Sequence, residues 1–576
     1  MRTPPRQDLV TPGRRLLGSL LAGAVLGGCA APTGGVFAGV PPAAAPAPGL
    51  VVLVAIDGLP MRQVLAARED LARDGFARFL QRGRWFANAH YGHGYTVTAA
   101  GHAVMMSGAY PQRSGIVGNQ WRDPASGSVV YNTGDTAYRY LGHVTAALAG
   151  TSPRNLLVPT LGDVLRERTP QAKVIGISAK DRGAILPAGH RGTAYLYMSA
   201  SGEFSTSTYY LPALPQWVQD FNAARPADAY FKRAWQPLRA GYDCPMGTPG
   251  CVYAAAPPDG QPWQVDSENG RSLPMVVGGE PQAPGPRYYA NLIASPFMDE
   301  LTLSFARAAV RGERLGQRGV TDVLTLSLSS HDYINHLFGP ESRLAYDHLL
   351  HLDAHLQAFF AYLDRTLGAD RYVLALTADH GFTDTPEWSA SQGRPAGRFK
   401  QREALPAVNA ALAARFGVDK LARGFSAGGL LLDEARIRAH GLDAAAVLQA
   451  ARAELLQQPG VVEVFTREQL LAGDAATPLL QAMRKSFHPA RSAPLQPVLA
   501  PGWIASYQDG GSSHGSPHEA DTHVPLLFWG PAWVGQGRED ARVEIADLAP
   551  TLAAIIGVAA PASAQGRDLA LRPRGQ

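Results

Sequence analysis

Residues 49–58 read GLVVLVAIDG, a continuous apolar run that ends in Asp57 and a glycine. Four later stretches repeat this pattern, at residues 172–182 (AKVIGISAKDR), 322–333 (DVLTLSLSSHDY), 371–381 (RYVLALTADHG) and 523–531 (HVPLLFWGP). Continuous apolar runs of this length, alternating with helix-like segments, are typical of buried parallel strands. We therefore predict an α/β fold with a central, mostly parallel sheet.

Polar or charged residues directly follow most of the predicted strands. In open α/β sheets, ligands bind outside the carboxyl ends of the strands. Because parallel strands end at the same edge of a sheet, side chains that are far apart in the sequence can meet there. We expect this of six side chains: Asp57, Lys180, Arg182, Asp332, Asp379 and His380.

Carboxylates and histidines recur in patterns that suit a metal. Asp332 and His336 are four residues apart, which places them on one face if a helix begins there. Asp379 and His380 are adjacent at a strand end and can point toward two metals. Residues 512–523 (SSHGSPHEADTH) add His514, His518 and His523. Such a donor set suits zinc, although each fragment alone also fits a helix cap or a hydrogen-bonded loop.

Composition places the chain among globular proteins. Of its 576 residues, 46% are hydrophobic and 17% are charged, which is ordinary for a chain that builds a core. The formal net charge is +4, and such a small charge argues against a nucleic-acid binder that neutralises phosphates. We expect no nucleic-acid partner, and the sequence predicts no particular oligomeric state.

The N-terminal segment predicts secretion. Residues 14–32 (RRLLGSLLAGAVLGGCAAP) place two arginines before a short apolar run, as in a signal peptide. The end of this run resembles a bacterial lipobox, so we expect residues 1–28 to be removed and Cys29 to carry a lipid in the periplasm, at the outer membrane. The alternative is an ordinary signal peptide cleaved nearby, with Cys29 incidental.

The rest of the chain divides into a core and two insertions. Residues 29–47 are rich in Ala, Pro and Gly and predict a flexible tether. Residues 201–292 and 388–505 interrupt the alternation of strands and helices, and we expect the second to form a cap. We expect Cys244 and Cys251, in the first insertion, to form a disulfide. The core then comprises three parts: residues 48–200, 293–387 and 506–576.

Several motifs together resemble the alkaline phosphatase superfamily, and within it the PafA-type, phosphate-irrepressible enzymes. Besides Asp57, they are residues 96–121 (TVTAAGHAVMMSGAYPQRSGIVGNQW), 178–190 (SAKDRGAILPAGH), 332–340 (DYINHLFGP), 377–382 (TADHGF), 514–530 (HGSPHEADTHVPLLFWG) and 543–558 (VEIADLAPTLAAIIGV). Their order and spacing extend across most of the mature chain. The resemblance implies an α/β/α sandwich with cap insertions and hydrolysis of small phosphate monoesters at two zinc ions.

The resemblance also assigns roles. Thr98 would be the nucleophile that forms a phosphothreonine, and Asn119 would donate to a phosphoryl oxygen. One zinc would be held by Asp57, Asp379, His380 and the Thr98 oxygen; the other would be held by Asp332, His336 and His514, with an open position. Thr96 would then pack or cap, and His102 would be a structural helix residue.

Lys180 and Arg182 bear on the choice of substrate. They are two residues apart, and we expect both to project from one side of an extended segment toward the phosphate. A monoester carries more negative charge on its non-bridging oxygens than a diester, so two cations favour the monoester. The alternative for Lys180-Asp181-Arg182 is a solvated charged turn.

Two other functions are also compatible with the sequence. A phosphodiesterase or nucleotide pyrophosphatase of the same superfamily shares the threonine and asparagine motifs and is the main alternative. A lipoprotein that keeps the fold only as a binding module is a further one, because fold alone does not determine function. The sulfatase signature is not found at the expected place. His331, next to Asp332, and His518 are not assigned as ligands.

Overall fold

The computed structural model describes residues 46–572 except positions 125, 280–281, 474–475 and 507–508. The predicted signal peptide, Cys29 and most of the tether lie outside the described residues, so the lipid-anchored leader stays a prediction. The division of the chain into core and insertions also stays a prediction. Among the described helices, none combines the length and the apolar character needed to cross a bilayer.

The largest sheet in the described part of the chain has nine strands. In chain order they are β1 (Leu50–Ile56), β2 (Arg84–Phe86), β3 (Val174–Ser178), β4 (Thr193–Met198), β5 (Glu203–Ser205), β6 (Asp322–Leu328), β7 (Tyr372–Thr377), β8 (Leu526–Trp529) and β9 (Gly537–Glu539). Their order across the sheet is β9-β2-β8-β7-β1-β6-β3-β4-β5. Every residue of β1, β6 and β7 is buried, which explains why these strands read as unbroken apolar runs.

The central strands β7, β1, β6, β3 and β4 run parallel, which confirms the predicted α/β fold. The prediction of a parallel strand at residues 523–531 was wrong, because β8 runs antiparallel to β7 and begins opposite its last residue, with Leu526 paired to Thr377. The chain enters β8 from the loop that contains His514, which lies at the edge where β7 ends. Because β8 starts at the edge where β7 ends, the chain runs through β8 in the direction opposite to β7.

Three helices contain predicted site residues: α1 (Thr98–Ser107), α2 (Asp181–Ala188) and α4 (Ser330–Phe338). The two longest of the described helices are α3 (Pro296–Gly312) and α5 (Arg343–Leu367). The other α-helices are Met61–Ala66, Phe76–Arg82, Pro111–Ser114, Leu161–Arg168, Gln216–Ala223, Pro286–Asn291, Pro386–Ser391, Gln401–Phe416, Glu434–Ala439, Ala444–Leu455, Arg467–Leu471, Pro478–Ser486, Glu519–Thr522 and Leu548–Ile556. The large apolar core packs both faces of the main sheet against these helices, including α3 and α5.

Shorter strands lie outside the main sheet. Ala422–Ser426, Gly429–Leu432, Leu495–Leu499 and Val461–Thr466 form a four-stranded sheet with an apolar core of its own. Gln120–Arg122 and Val129–Tyr131 pair antiparallel and form the 120–131 hairpin. The remaining pairs are Ala89–His90 with Val543–Glu544, Ala234–Trp235 with Met275–Val276, and Gly397–Lys400 with Trp503–Ser506. The predicted disulfide between Cys244 and Cys251 is present.

Candidate active site

Strand ends bring the predicted carboxylates together at one edge of the main sheet. Asp57 directly follows β1, and Asp379 lies two residues after β7. Asp332 lies in the first turn of α4, just after β6. Because β7, β1 and β6 are adjacent and parallel, these three side chains become neighbours although the chain separates them widely. All three are almost completely buried.

Histidines complete two groups of possible metal ligands. Asp57, Asp379 and His380 form one group, and Asp332, His380 and His514 form the other, with ligand atoms within 4.8 Å of one another in each. His380 Nε2 lies 3.5 Å from both Asp57 Oδ1 and Asp379 Oδ2, and His514 Nε2 lies 3.6 Å from Asp332 Oδ1.

His336, predicted as a ligand beside Asp332, lies close to the second group. The predicted helix is present as α4, and it brings His336 Nε2 to 3.4 Å from Asp332 Oδ1. The structure therefore brings together all of the predicted aspartate and histidine ligands. It places His380 between the two groups, where the sequence had assigned that residue to one metal.

The histidines present the same ring nitrogen to the site. His380 Nδ1 lies 2.8 Å from the Gly381 carbonyl oxygen, and His514 Nδ1 lies 2.8 Å from that of Thr96. His336 Nδ1 lies 2.9 Å from the carbonyl oxygen of Ser512. Since a carbonyl only accepts, each Nδ1 donates, and each Nε2 keeps its lone pair for a cation.

Unpaired buried atoms support a metal site here. Within the described chain, Asp57 Oδ1, Asp332 Oδ1 and His380 Nε2 are buried and have no hydrogen-bond partner. Buried polar atoms are nearly always paired, because an unpaired one loses its water without compensation. A divalent cation would compensate all three, and carboxylate oxygen with imidazole nitrogen is a donor set that zinc accepts. The residues present therefore fit the metal that the sequence predicted.

Neighbouring charges shift the pKa values of Asp57 and Asp332 in opposite directions. Burial and the neighbouring Asp379 raise the pKa of Asp57 well above its usual range. Burial also opposes the ionisation of Asp332, but Lys180 and His336 hold its pKa well below its usual range. Lys180 Nζ lies 2.7 Å from Asp57 Oδ2 and 2.5 Å from Asp332 Oδ2. Burial disfavours its charge, but these two carboxylates raise the pKa of Lys180 above its usual value.

Thr98, the predicted nucleophile, is the first residue of α1. It is 1% exposed, and Val97, which has no hydrogen-bonding side chain, is the N-cap. The Asn119 side chain takes over the capping, since its Oδ1 accepts from Ala99 N at 2.9 Å. Thr96, predicted to pack or cap, donates its hydroxyl to the Ser516 carbonyl oxygen at 2.8 Å. It therefore ties the start of α1 to the loop that contains His514.

Lys180 and Arg182 both reach the site region, but not both from an extended segment. The backbone of Lys180 is extended, but the expectation was wrong for Arg182, because Lys180 is the N-cap of α2 and Arg182 lies in its first turn. Lys180 is only 5% exposed, which excludes the solvated charged turn for this residue. The Arg182 side chain is also largely buried, and its Nη1 donates to the Tyr131 hydroxyl at 3.4 Å.

His102, predicted as a structural helix residue, lies inside α1, but its contact with Asp379 was not predicted. Its Nδ1 donates to the Thr98 carbonyl oxygen at 2.8 Å and lies 3.2 Å from Asp379 Oδ2, while its Nε2 lies 2.8 Å from Ser327 Oγ. It thus connects α1 to Asp379, a predicted metal ligand. The spacing of four residues between Thr98 and His102 was the available signal for their contact within a helix. The contact with Asp379 depends on how α1 packs.

The two histidines left unassigned bond away from the ligand groups. His331 Nε2 lies 2.8 Å from Gln63 Oε1, and His331 Nδ1 lies 3.0 Å from His348 Nδ1. His518 Nε2 donates to the Leu499 carbonyl oxygen at 2.7 Å. Both side chains therefore have partners of their own, outside the two ligand groups.

Known proteins resemble this chain over most of its length. A family model described as type I phosphodiesterase / nucleotide pyrophosphatase matches residues 51–523. Alkaline phosphatase PafA of Elizabethkingia meningoseptica is 31% identical over 97% of this chain and 99% of its own length. Alkaline phosphatase PhoV of Synechococcus elongatus is 33% identical over 90% of this chain and 92% of its own length. The crystal structure of wild-type alkaline phosphatase PafA matches with a TM-score of 0.84 and 30% identity, covering 92% of this chain and 99% of that one.

Proposed function

The chain belongs to the type I phosphodiesterase / nucleotide pyrophosphatase family, and on that premise we propose that it hydrolyses phosphate monoesters through a phosphothreonine on Thr98. Its homologues include several enzymes named alkaline phosphatase, so the chain is a phosphoester hydrolase of that superfamily, and the predicted resemblance is confirmed. The observation that carries the choice of a monoester is a pair of cations: Lys180, which is buried beside Asp57 and Asp332, and the largely buried Arg182 two residues further along the chain.

The cations distinguish the two ester classes by charge. A monoester dianion concentrates more negative charge on its non-bridging oxygens than a diester does, and buried cations stabilise that charge strongly. The Lys180 ammonium pairs with Asp57 and Asp332, so it is held at the centre of the site. The Arg182 guanidinium can add two hydrogen bonds to a phosphoryl group because of its planar fork.

The reaction starts at the Thr98 hydroxyl. Its oxygen attacks phosphorus in line, the bond to the leaving oxygen breaks, and a phosphothreonine forms; the proton lost by the hydroxyl is balanced by the one gained by the leaving alcohol. Water then attacks phosphorus and gives it a hydroxyl group, the bond to the Thr98 oxygen breaks, and the second proton of the water restores the Thr98 hydroxyl as inorganic phosphate leaves. The position of Thr98 at the first residue of α1 adds the positive end of the helix dipole to this oxygen.

Asn119 has one atom available for the substrate. Its Oδ1 is occupied by the backbone N–H of Ala99 at 2.9 Å, which determines the orientation of the amide. The Nδ2 group is then free of that contact and can donate to a non-bridging phosphoryl oxygen. Because the same contact caps α1, the donor and the nucleophile have a common anchor.

We propose that two zinc ions are the resident metals. Asp57, Asp379, His380 and the Thr98 oxygen would hold one, and Asp332, His336 and His514 would hold the other. Bound zinc would lower the pKa of a coordinated hydroxyl and stabilise developing charge on oxygen. The Nε2 lone pairs that face the site, and its unpaired carboxylate oxygens, support this assignment.

We also propose that the enzyme acts in the bacterial periplasm, anchored by a lipid on Cys29. The signal-like residues 14–32 support this location, and so does the Cys244–Cys251 disulfide, since disulfides persist in oxidising compartments. A Cys29→Ser variant should move from the membrane fraction to the soluble fraction. Retention in the membrane fraction would argue against the lipid.

The function is tested by comparing an aryl phosphate monoester with a matched alkyl aryl diester on zinc-loaded protein. We expect a large monoester preference, and a loss on the order of 10³-fold in monoester kcat/KM in the Lys180→Ala/Arg182→Ala variant. Thr98→Ala should lose turnover of both esters. Lys173→Ala/Arg191→Ala removes two cations from the ends of the same β3–α2 unit and serves as the matched control.

Two outcomes would overturn the proposal. A wild-type preference for the diester that the Lys180→Ala/Arg182→Ala variant retains would identify a phosphodiesterase, which the description of the matching family also fits. Absence of turnover of either ester by the zinc-loaded protein would favour the remaining alternative, a lipoprotein that keeps the fold only as a binding module.

A further inference from the structure

Tyr131 is the last residue of the 120–131 hairpin, and its hydroxyl contacts Arg182. Its hydroxyl donates to Asp181 Oδ1 at 2.7 Å and accepts from Arg182 Nη1 at 3.4 Å. A tyrosine hydroxyl has one proton, so the bond to Asp181 leaves a lone pair of the same oxygen for the guanidinium. Burial and the neighbouring Asp181 raise the pKa of Tyr131, so the hydroxyl keeps its proton.

Asp181 is itself held from three directions. Besides the Tyr131 hydroxyl, its Oδ1 accepts from the backbone N–H of Arg182 at 2.6 Å. Its Oδ2 accepts from Gly150 N at 2.8 Å. A carboxylate with three donors is confined, so Asp181 gives Tyr131 a fixed partner at the start of α2.

The hairpin carries Tyr131 and Asn119 at its open end. Gln120, the residue after Asn119, pairs with Tyr131 in the strand register. Asn132, the residue after Tyr131, donates its side-chain amide to the Asn119 carbonyl oxygen at 2.5 Å. The two residues that border the hairpin are thus bonded to each other across it.

We propose that Tyr131, supported by Asp181, is a positioning residue that holds the Arg182 guanidinium at a fixed place relative to Asn119. This inference rests on the proposed function, in which both side chains bind the phosphoryl group. Two donors on separate segments, α2 and the hairpin, would otherwise adjust independently. Tied through one hydroxyl, they meet the three phosphoryl oxygens as one preorganised unit.

The test is a double-mutant cycle of Tyr131→Phe and Arg182→Ala, read from calorimetric binding of inorganic phosphate to zinc-loaded protein. Tyr131→Phe removes only the hydroxyl, and we expect phosphate to bind about tenfold more weakly. In the Arg182→Ala background, the same change should have almost no further effect. Monoester kcat/KM should follow the same pattern, while diester kcat/KM changes little.

Tyr209→Phe is the matched control, because it removes a tyrosine hydroxyl that donates to the His190 carbonyl oxygen. It should leave phosphate binding unchanged. Additive losses in the cycle, or equal losses for monoester and diester with a lowered Tm, would assign Tyr131 a merely structural role and overturn the inference. A failure of the proposed function would instead appear as a preference of the wild-type enzyme for the diester. The mutant cycle measures phosphate binding and does not depend on that preference.

Discussion

His190 and Asp163 form a titratable pair away from the site. His190 Nδ1 lies 3.1 Å from Asp163 Oδ2, and its Nε2 donates to the Leu156 carbonyl oxygen at 2.9 Å. The hydrogen bond to Asp163 raises the pKa of His190 above 6.5. Burial opposes the ionisation of Asp163, but the same bond lowers the pKa of this carboxyl below 3.8.

These shifts predict a pH-dependent loss of stability in His190→Gln. The contribution of His190 is fully present below its unfolded pKa of about 6.5 and is lost as the pH rises through the raised folded value. The contribution of Asp163 is lost only as the pH falls through its lowered value. Urea unfolding should therefore show a larger loss at pH 5.5 than at pH 8.5, of less than about 1 kcal/mol, because the ring is 35% exposed and solvent screens it. Equal losses at both pH values would contradict this.

At the scale of elements, α1 packs directly on the loop that follows β7. A Cβ built on Gly101 would lie 2.0 Å from the Asp379 carbonyl oxygen, a distance that no real contact tolerates. Glycine at this position therefore lets the helix that begins with Thr98 approach a ligand loop closely. The approach also brings His102, the next residue of α1, to Asp379.

Gly101→Ala should force α1 away from this loop. Overpacking of this kind costs about 1–3 kcal/mol, and a displacement of about 1 Å at a reacting group costs about 100-fold in rate. We expect a lower Tm together with a loss of monoester kcat/KM of that order. Gly285→Ala is the control, since a Cβ there has no neighbour within 4 Å. Unchanged activity in Gly101→Ala would show that the close approach does not matter.

The elements also show what could be predicted from the sequence. β1 and β7 were predictable because a strand buried on both faces needs an unbroken apolar run, and parallel pairing then places Asp57 and Asp379 at the same edge. The direction of β8 was not predictable, because an apolar run looks the same in both directions. The direction of the strand depends on the edge of the sheet at which the preceding loop lies. The contacts of His102 and Tyr131 were not predictable either, because they depend on packing between distant segments rather than on local pattern.

For the whole molecule, a metal held by the buried carboxylates would couple its binding to the stability of the fold. Asp57, Asp332 and Asp379 follow three neighbouring strands of the central sheet and share Lys180 as a cation. A cation that binds them only in the folded state stabilises the entire chain, by about 2.7 kcal/mol at 100 times its Kd. Zinc should therefore raise the Tm by several degrees, and a chelator should lower it again.

Two histidines of one loop provide the comparison for this prediction. His514→Ala removes a proposed ligand and should reduce the rise in Tm with zinc. His518→Ala removes a side chain that bonds to the Leu499 carbonyl oxygen and should leave the rise intact. A rise that is the same in both variants would show that zinc binds elsewhere.

The position of β8 in the sheet has a consequence for the timing of assembly. This strand, Leu526–Trp529, lies between β2 and β7, so it fills a place beside two strands that are translated much earlier. His514 also emerges late. At about 5–20 residues per second, the interval between translating Asp57 and His514 is on the order of a minute. Until this late part of the chain is available, the place beside β7 in the sheet stays open and the predicted ligand set lacks His514.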